Sequence, residues 1–161
     1  MKITFIQTGG TIDKDYPQST KGWAFEIGEP AIIRILNILQ PSFEYEIVEA
    51  FRKDSLEINN KDRKRLADTI RKQDTDKIII THGTDTMIET CAFISKNIEN
   101  KTIVLTGAMK PEIFKDSEAQ INIGSAISAV QMAPIGVYIC MHGIVKSWDK
   151  MNRNIESGKY Y

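Results

Sequence analysis

The sequence has little that would commit it to a metal, a membrane or a nucleic acid. Only two of its 161 residues are cysteine, and Cys91 and Cys140, each inside an apolar stretch, lack the short spacing of a metal site. A disulfide scaffold is excluded with them. Lys plus Arg number 21 and Asp plus Glu number 21, so the formal charge is zero and the footprint of a dedicated nucleic-acid or anionic-membrane binder is missing. No apolar run approaches the ~18 residues needed to span a bilayer, and Met1–Gln7 has one basic residue and too short an apolar run for a signal peptide. A cytoplasmic, reducing location and a small-molecule or protein partner are therefore expected. Low-complexity segments, internal repeats and Ser/Gly-rich linkers are also missing, so residues 1–161 read as a single domain.

What is present is a regular alternation. Hydrophobic residues make up 42% of the chain, and short apolar runs of strand length recur at Lys2–Gln7, Tyr45–Glu49, Lys77–Thr81, Thr102–Thr106 and Ile135–Cys140. Helical periodicity fills the intervals: Pro30–Leu39, Asn60–Arg71, Thr86–Ile98 and Ser117–Gln131. Thr86 with Glu89, and Ser117 with Gln120, fit the capping box that opens a helix. The segment Lys146–Lys159 reads as a charged helical tail. Ile- and Val-rich strands with little alternation are buried on both faces, which in a β-α-β-α series implies an α/β three-layer sandwich with a mainly parallel sheet, flavodoxin-like or otherwise doubly wound.

Such folds bind ligands outside the carboxyl ends of their strands. After the first strand comes Thr8-Gly9-Gly10-Thr11-Ile12, a glycine turn presenting a threonine hydroxyl. After the third comes His82-Gly83-Thr84-Asp85-Thr86-Met87, with two hydroxyls flanking a carboxylate at a helix start, where backbone amides can bind a carboxylate or polarise a carbonyl. Thr106-Gly107-Ala108-Met109 repeats the Thr-Gly turn after the fourth. The spacing of a dinucleotide or P-loop site is absent. Hydroxyl groups on two loops of one edge suggest acyl transfer, since a threonine hydroxyl attacks an amide carbonyl once its proton is removed. Asp85 with a lysine, or Tyr16, are candidates for that relay; each loop also reads more simply as a turn or helix cap.

The pair Thr-Gly-Gly-Thr-Ile at residues 8–12 and His-Gly-Thr-Asp-Thr-Met at residues 82–87 resembles the two signatures of the bacterial-type L-asparaginase (asparaginase/glutaminase) family. Asp54-Ser55-Leu56-Glu57 is similar to that family's substrate-binding segment, and the run from Thr8 to Tyr16 resembles its short, single-domain members. The resemblance implies an amidohydrolase that converts L-asparagine to L-aspartate and ammonia, with Thr11 as nucleophile, Tyr16 as the lid hydroxyl, Thr84 as second threonine and Asp85 in the proton relay. It implies substrate-binding positions at Ser55, Gly83, Thr84, Asp85 and Ala108, and no metal or organic cofactor.

Two departures stand out. Aligning residues 141–145 with the family's fifth strand puts Arg153 where a relay lysine is usual, and an arginine does not accept protons near neutral pH. Lys150, three residues away, is the alternative. Common members also have a smaller C-terminal α/β domain that closes a neighbouring subunit's site; the sequence runs to Tyr161, so a homodimer or higher homo-oligomer is expected to complete it. Leu56 stands where many members carry a polar substrate contact, which points to weaker amino-group recognition. The competing readings are a catalytically weak or silent amino-acid-binding protein and, from fold alone, a nucleotide or flavin binder.

Overall fold

The computed structural model describes residues 1–16 and 25–161. Its elements run in chain order as β1 (Lys2–Gly9), β2 (Lys14–Asp15), β3 (Glu26–Ile27), α1 (Ala31–Leu39), β4 (Glu44–Lys53), α2 (Asn60–Arg71), β5 (Lys77–Thr81), α3 (Met87–Asn97), β6 (Thr102–Thr106), α4 (Ala119–Met132), β7 (Gly136–Met141) and β8 (Ile144–Ser147). Six strands form one sheet in the order β4-β1-β5-β6-β7-β8, parallel throughout except for β8, which turns back antiparallel on β7. The five parallel strands thus follow the flavodoxin-like order, in which the direction of winding reverses between β1 and β5.

Period-two alternation divides the core. Ile78 and Ile80 point to the face covered by α2 and α3, where Leu66, Ile70, Met87, Cys91 and Ile94 pack on them. Ile79 points to the other face, against α1 and α4 through Ile32, Ile35, Leu36, Ile123 and Ile127. Each such side chain, fully buried, contributes about 1.5–3 kcal/mol. Among the described residues no helix is long and apolar enough to cross a membrane.

Three local expectations are corrected. Thr86 makes no cap hydrogen bond, because its hydroxyl donates to the Ser55 carbonyl at 2.8 Å. Ser117 lies two residues before α4; its hydroxyl donates to the Lys110 carbonyl at 3.0 Å and accepts from Ala119 N–H at 3.2 Å, so it satisfies the first helical amide without forming the box. The capping box belongs instead to α2, where Asn59 accepts from Asp62 N–H at 3.3 Å and Asp62 accepts from Asn59 N–H at 3.0 Å. The segment 146–159 is no helix: β8 and a 3-10 turn (Trp148–Lys150) lead into a hairpin closed by the Arg153–Tyr160 bridge. Gly158, at φ 70°, and the Asn154 side chain, accepting from Ser157 N–H at 2.8 Å, turn the chain there, while Met151 and Tyr160 sink into the core.

Replacing Ile79 by alanine, in the central strand, should lower the unfolding free energy by about 2–5 kcal/mol, whereas Ile38→Ala, at a position 70% exposed, should change it by less than about 0.5 kcal/mol in chemical denaturation.

Candidate active site

The carboxyl edge of the sheet is marked by Gln7, Thr81, Thr106 and Cys140, which lie side by side in register. Hydroxyls lock adjacent strand ends together there: Thr8 donates to the Thr81 carbonyl and Thr106 to the Cys140 carbonyl, both at 2.8 Å. Beyond this row the loops after β1, β4, β5 and β6 converge on the winding reversal.

Their convergence depends on missing side chains. Gly10, at φ 86°, lies so close to the next loop that a Cβ would stand 2.4 Å from the Gly83 backbone. A Cβ on Gly83 would in turn meet the Ser55 Cβ at 2.6 Å, and one on Gly107 would meet the His82 carbonyl at 2.3 Å. Thr11 and Thr84, each the residue after one of the touching glycines, therefore leave from adjacent points of two different loops. Thr11 opens a 3-10 turn (Thr11–Asp13). Thr84 is nearly buried, and its backbone carbonyl accepts from the Tyr160 hydroxyl.

Ser55 is buried beneath both loops. Its Oγ accepts from Asp85 N–H at 3.2 Å and its carbonyl accepts from Thr86, so the loop after β4 carries the start of α3. Ala108 is buried, and the carbonyl before it, on Gly107, accepts from the Asn122 amide at 2.9 Å. Lys14 bridges the first and second loops through Asp54 at 3.1 Å; burial opposes the Asp54 charge, but Leu56 N–H and the Lys14 ammonium outweigh it and hold the carboxyl below its ordinary range. Leu56 is 75% exposed.

Asp85 and Arg153 meet. The guanidinium Nη1 lies 2.9 Å from Asp85 Oδ1, with Arg153 itself held by its Nε donating to the Gly158 carbonyl at 3.3 Å and by its position over the Tyr160 ring at 5.9 Å. Lys150 is exposed on the 3-10 turn and joins none of these contacts. Tyr16 stands apart from the cluster: it is 53% exposed and packs on Phe25, which packs edge-on against Phe114, with ring centroids 5.0 and 5.5 Å apart. The structure thus assembles Ser55, Gly83, Thr84, Asp85, Ala108 and Arg153 with the Thr11 turn, and leaves Tyr16 on an aromatic rim beside the undescribed residues 17–24.

Three buried groups of the site are given no role by the sequence reading. His82 Nδ1–H donates to the Gly83 carbonyl, 2.7 Å away, and burial pushes its imidazole down to about 4, so the ring is neutral at physiological pH. Tyr160 lies 76 residues from the carbonyl it binds, a separation no local pattern reveals. Asp13 follows Thr11 in the same turn, and burial pushes its carboxyl up to about 6 against the pull of Ala31 N–H, the Gln7 amide, the Thr81 hydroxyl and Arg34.

An alanine at residue 10 needs both a left-handed backbone and displacement of the Gly83 loop, whereas Gly143, at φ 78°, has open space around it. Gly143→Ala should cost about 1–2 kcal/mol and Gly10→Ala several times more, measured by thermal or chemical unfolding.

Comparison with known proteins gives this geometry its context. The family description "Asparaginase, N-terminal" matches residues 2–154. The chain is 24% identical to a glutaminase-asparaginase of Acinetobacter glutaminasificans over 99% of its own length and 57% of that protein's. It is 30% identical to a glutamyl-tRNA(Gln) amidotransferase subunit of Methanococcus vannielii over 88% of its length and 34% of the relative's. The solved thermostable L-asparaginase from Thermococcus kodakarensis superposes with a TM-score of 0.82 at 25% identity, covering 95% of this chain and 48% of that one. The chain spans about a third to rather more than half the length of these proteins. With the matched region spanning almost every residue, the chain belongs to the asparaginase family, whose N-terminal domain it carries.

Proposed function

We propose that this chain is an amidohydrolase that cleaves the side-chain amide of L-asparagine to L-aspartate and ammonia through a threonine nucleophile. The observation that carries the reading is the contact of Gly10 with Gly83, which brings the Thr11 turn and the Thr84-Asp85 loop to one point at the winding reversal. Thr11 Oγ attacks the amide carbon while its proton passes by way of the Thr84 hydroxyl toward the Asp85 carboxylate. The C–N bond then breaks, the proton returns to the leaving nitrogen, and ammonia departs from an acyl ester on Thr11. Water adds to that ester, the C–O bond to Thr11 breaks, and aspartate leaves with the hydroxyl restored.

In this reading Ser55 and the Gly83 backbone receive the substrate α-carboxylate end, Asp85 holds its amino group and the Ala108 carbonyl faces the leaving nitrogen. Arg153 pairs with Asp85 and aims it; its guanidinium carries charge but no relayed proton. Tyr16 joins only when the segment bearing it moves from its rim position over Thr11. The site's completion by a second copy of the chain belongs to the same proposal, and light scattering should find a dimer or larger assembly.

A second reading is favoured by one observation, the arginine at Asp85 where the family resemblance expects a lysine: a protein that binds an amino acid and turns it over feebly or not at all. Ammonia release on L-asparagine, L-glutamine and D-asparagine separates the two. Turnover of L-asparagine should be proportional to protein added and fall at least roughly 10³-fold in Thr11→Ala. Absence of turnover at millimolar substrate, with asparagine still raising the melting temperature, supports the binding protein instead.

A further inference from the structure

Asp13 is completely buried, and its two carboxylate oxygens reach two separate elements. Oδ1 accepts from Ala31 N–H at 2.8 Å, a free amide in the first turn of α1, where Pro30 at the cap position offers no side-chain acceptor. Oδ2 accepts from the Thr81 hydroxyl at 3.4 Å, at the last residue of β5 before the His82-Gly83-Thr84 loop. The Gln7 amide of β1 faces the same carboxylate. The Asp13 backbone carbonyl accepts from Gly28 N–H at 2.9 Å, and Gln7 donates to the Gly28 carbonyl at 3.0 Å, so the root of β3 is tied to the same point. The Thr11 turn is held from its other side by Glu112 N–H, which donates to the Ile12 carbonyl at 3.1 Å.

The charges around it do not balance. Arg34, from α1, is the cation nearest in effect, but its Nε already lies 2.5 Å from Glu112 Oε2. Two carboxylates face one guanidinium, and the Asp13 charge rests mainly on dipoles. An asparagine would fill the same space and keep an acceptor for Ala31 N–H without a charge to desolvate. As a purely structural group the carboxylate is thus the costlier choice. What it offers is charge-assisted hydrogen bonds, stronger and more directional than neutral ones.

We propose that the Asp13 carboxylate is a positioning residue for Thr11, clamping the nucleophile's turn to the ends of β1 and β5 and to the start of α1. This rests on the reading of Thr11 as nucleophile. Protonation of Asp13 loosens the clamp, so turnover declines on the acid side while the fold persists. The groups facing it from the packed elements are Gln7 of β1, Thr81 of β5, Ala31 and Arg34 of α1, and Glu112 after β6; only Arg34 and Glu112 among them are charged.

The test is Asp13→Asn in the full chain. The variant should melt at or above the wild-type temperature at pH 7.5, yet release ammonia from L-asparagine with kcat at least 10-fold lower and KM changed less than about 3-fold. Wild-type kcat should fall as pH drops through about 6, and the variant should stay low and flat across that range. Asp13→Glu, which keeps the charge, should recover part of kcat. A kcat for Asp13→Asn within twofold of wild type, or a melting temperature that falls together with activity, overturns the proposal. Should Asp13→Asn fail to fold, the wild type decides: exchange protection of the Ala31 amide and kcat must step down together near pH 6, and a kcat constant from pH 7.5 to 5 overturns it. Wild-type protein that releases no ammonia, or Thr11→Ala that still does, defeats the functional reading instead, and the stability gain and the Ala31 exchange step then test the clamp alone.

Discussion

A methyl group at residue 10 would stand 2.4 Å from the backbone of Gly83, and one at residue 83 would stand 2.6 Å from the Ser55 side chain. Three loops from three strands are thus in close contact, and the separations allow no side chain between them. This close approach decides where Thr11 and Thr84 emerge, which carbonyl receives the Thr86 hydroxyl and which oxygen receives the Asp85 amide. It is possible because β1, β4 and β5 are neighbours in the sheet and end at one edge, which follows from the winding order alone.

Around that contact the polar groups fall into two sets with opposite tasks. One set is buried and rigid: Gln7, Thr8, Asp13, Thr81, Thr106 and Asn122 bind strand ends and loops to one another. Each neutral bond contributes about 1 kcal/mol, but leaving any of these groups unpaired costs more, so the set specifies one arrangement. The other set is half exposed: Asp85 and Arg153 form an ion pair whose worth in stability is small and whose value lies in holding the carboxylate in place at the mouth of the site.

Much of this was legible in the chain itself, for identifiable reasons. Strands buried on both faces leave continuous Ile/Val runs, and α2 was bounded to the residue because Leu66, Ala67 and Ile70 mark its buried stripe. The signature loops were legible because glycine at a strand end is a local feature. Non-local features leave no local pattern: alignment to the family marks Arg153, but not that it reaches Asp85 through a hairpin stabilised by Tyr160 and Gly158, in a segment whose abundant charges read as a helix. The capping pattern at Thr86 misleads for a related reason, since its hydroxyl donates to the Ser55 carbonyl of a different loop. Nothing in Thr-Ile-Asp-Lys says that the aspartate turns inward, so the buried Asp13 carboxylate leaves no local signal.

The central claim is that the Thr11 hydroxyl is the group that attacks the substrate amide. Incubating the protein with an asparagine analogue bearing an electrophilic carbon in place of the amide, followed by peptide mass mapping, tests it most directly. The account predicts one adduct, on Thr11, blocked by excess aspartate; an adduct on Thr84 or any other side chain, with Thr11 unmodified, would contradict it.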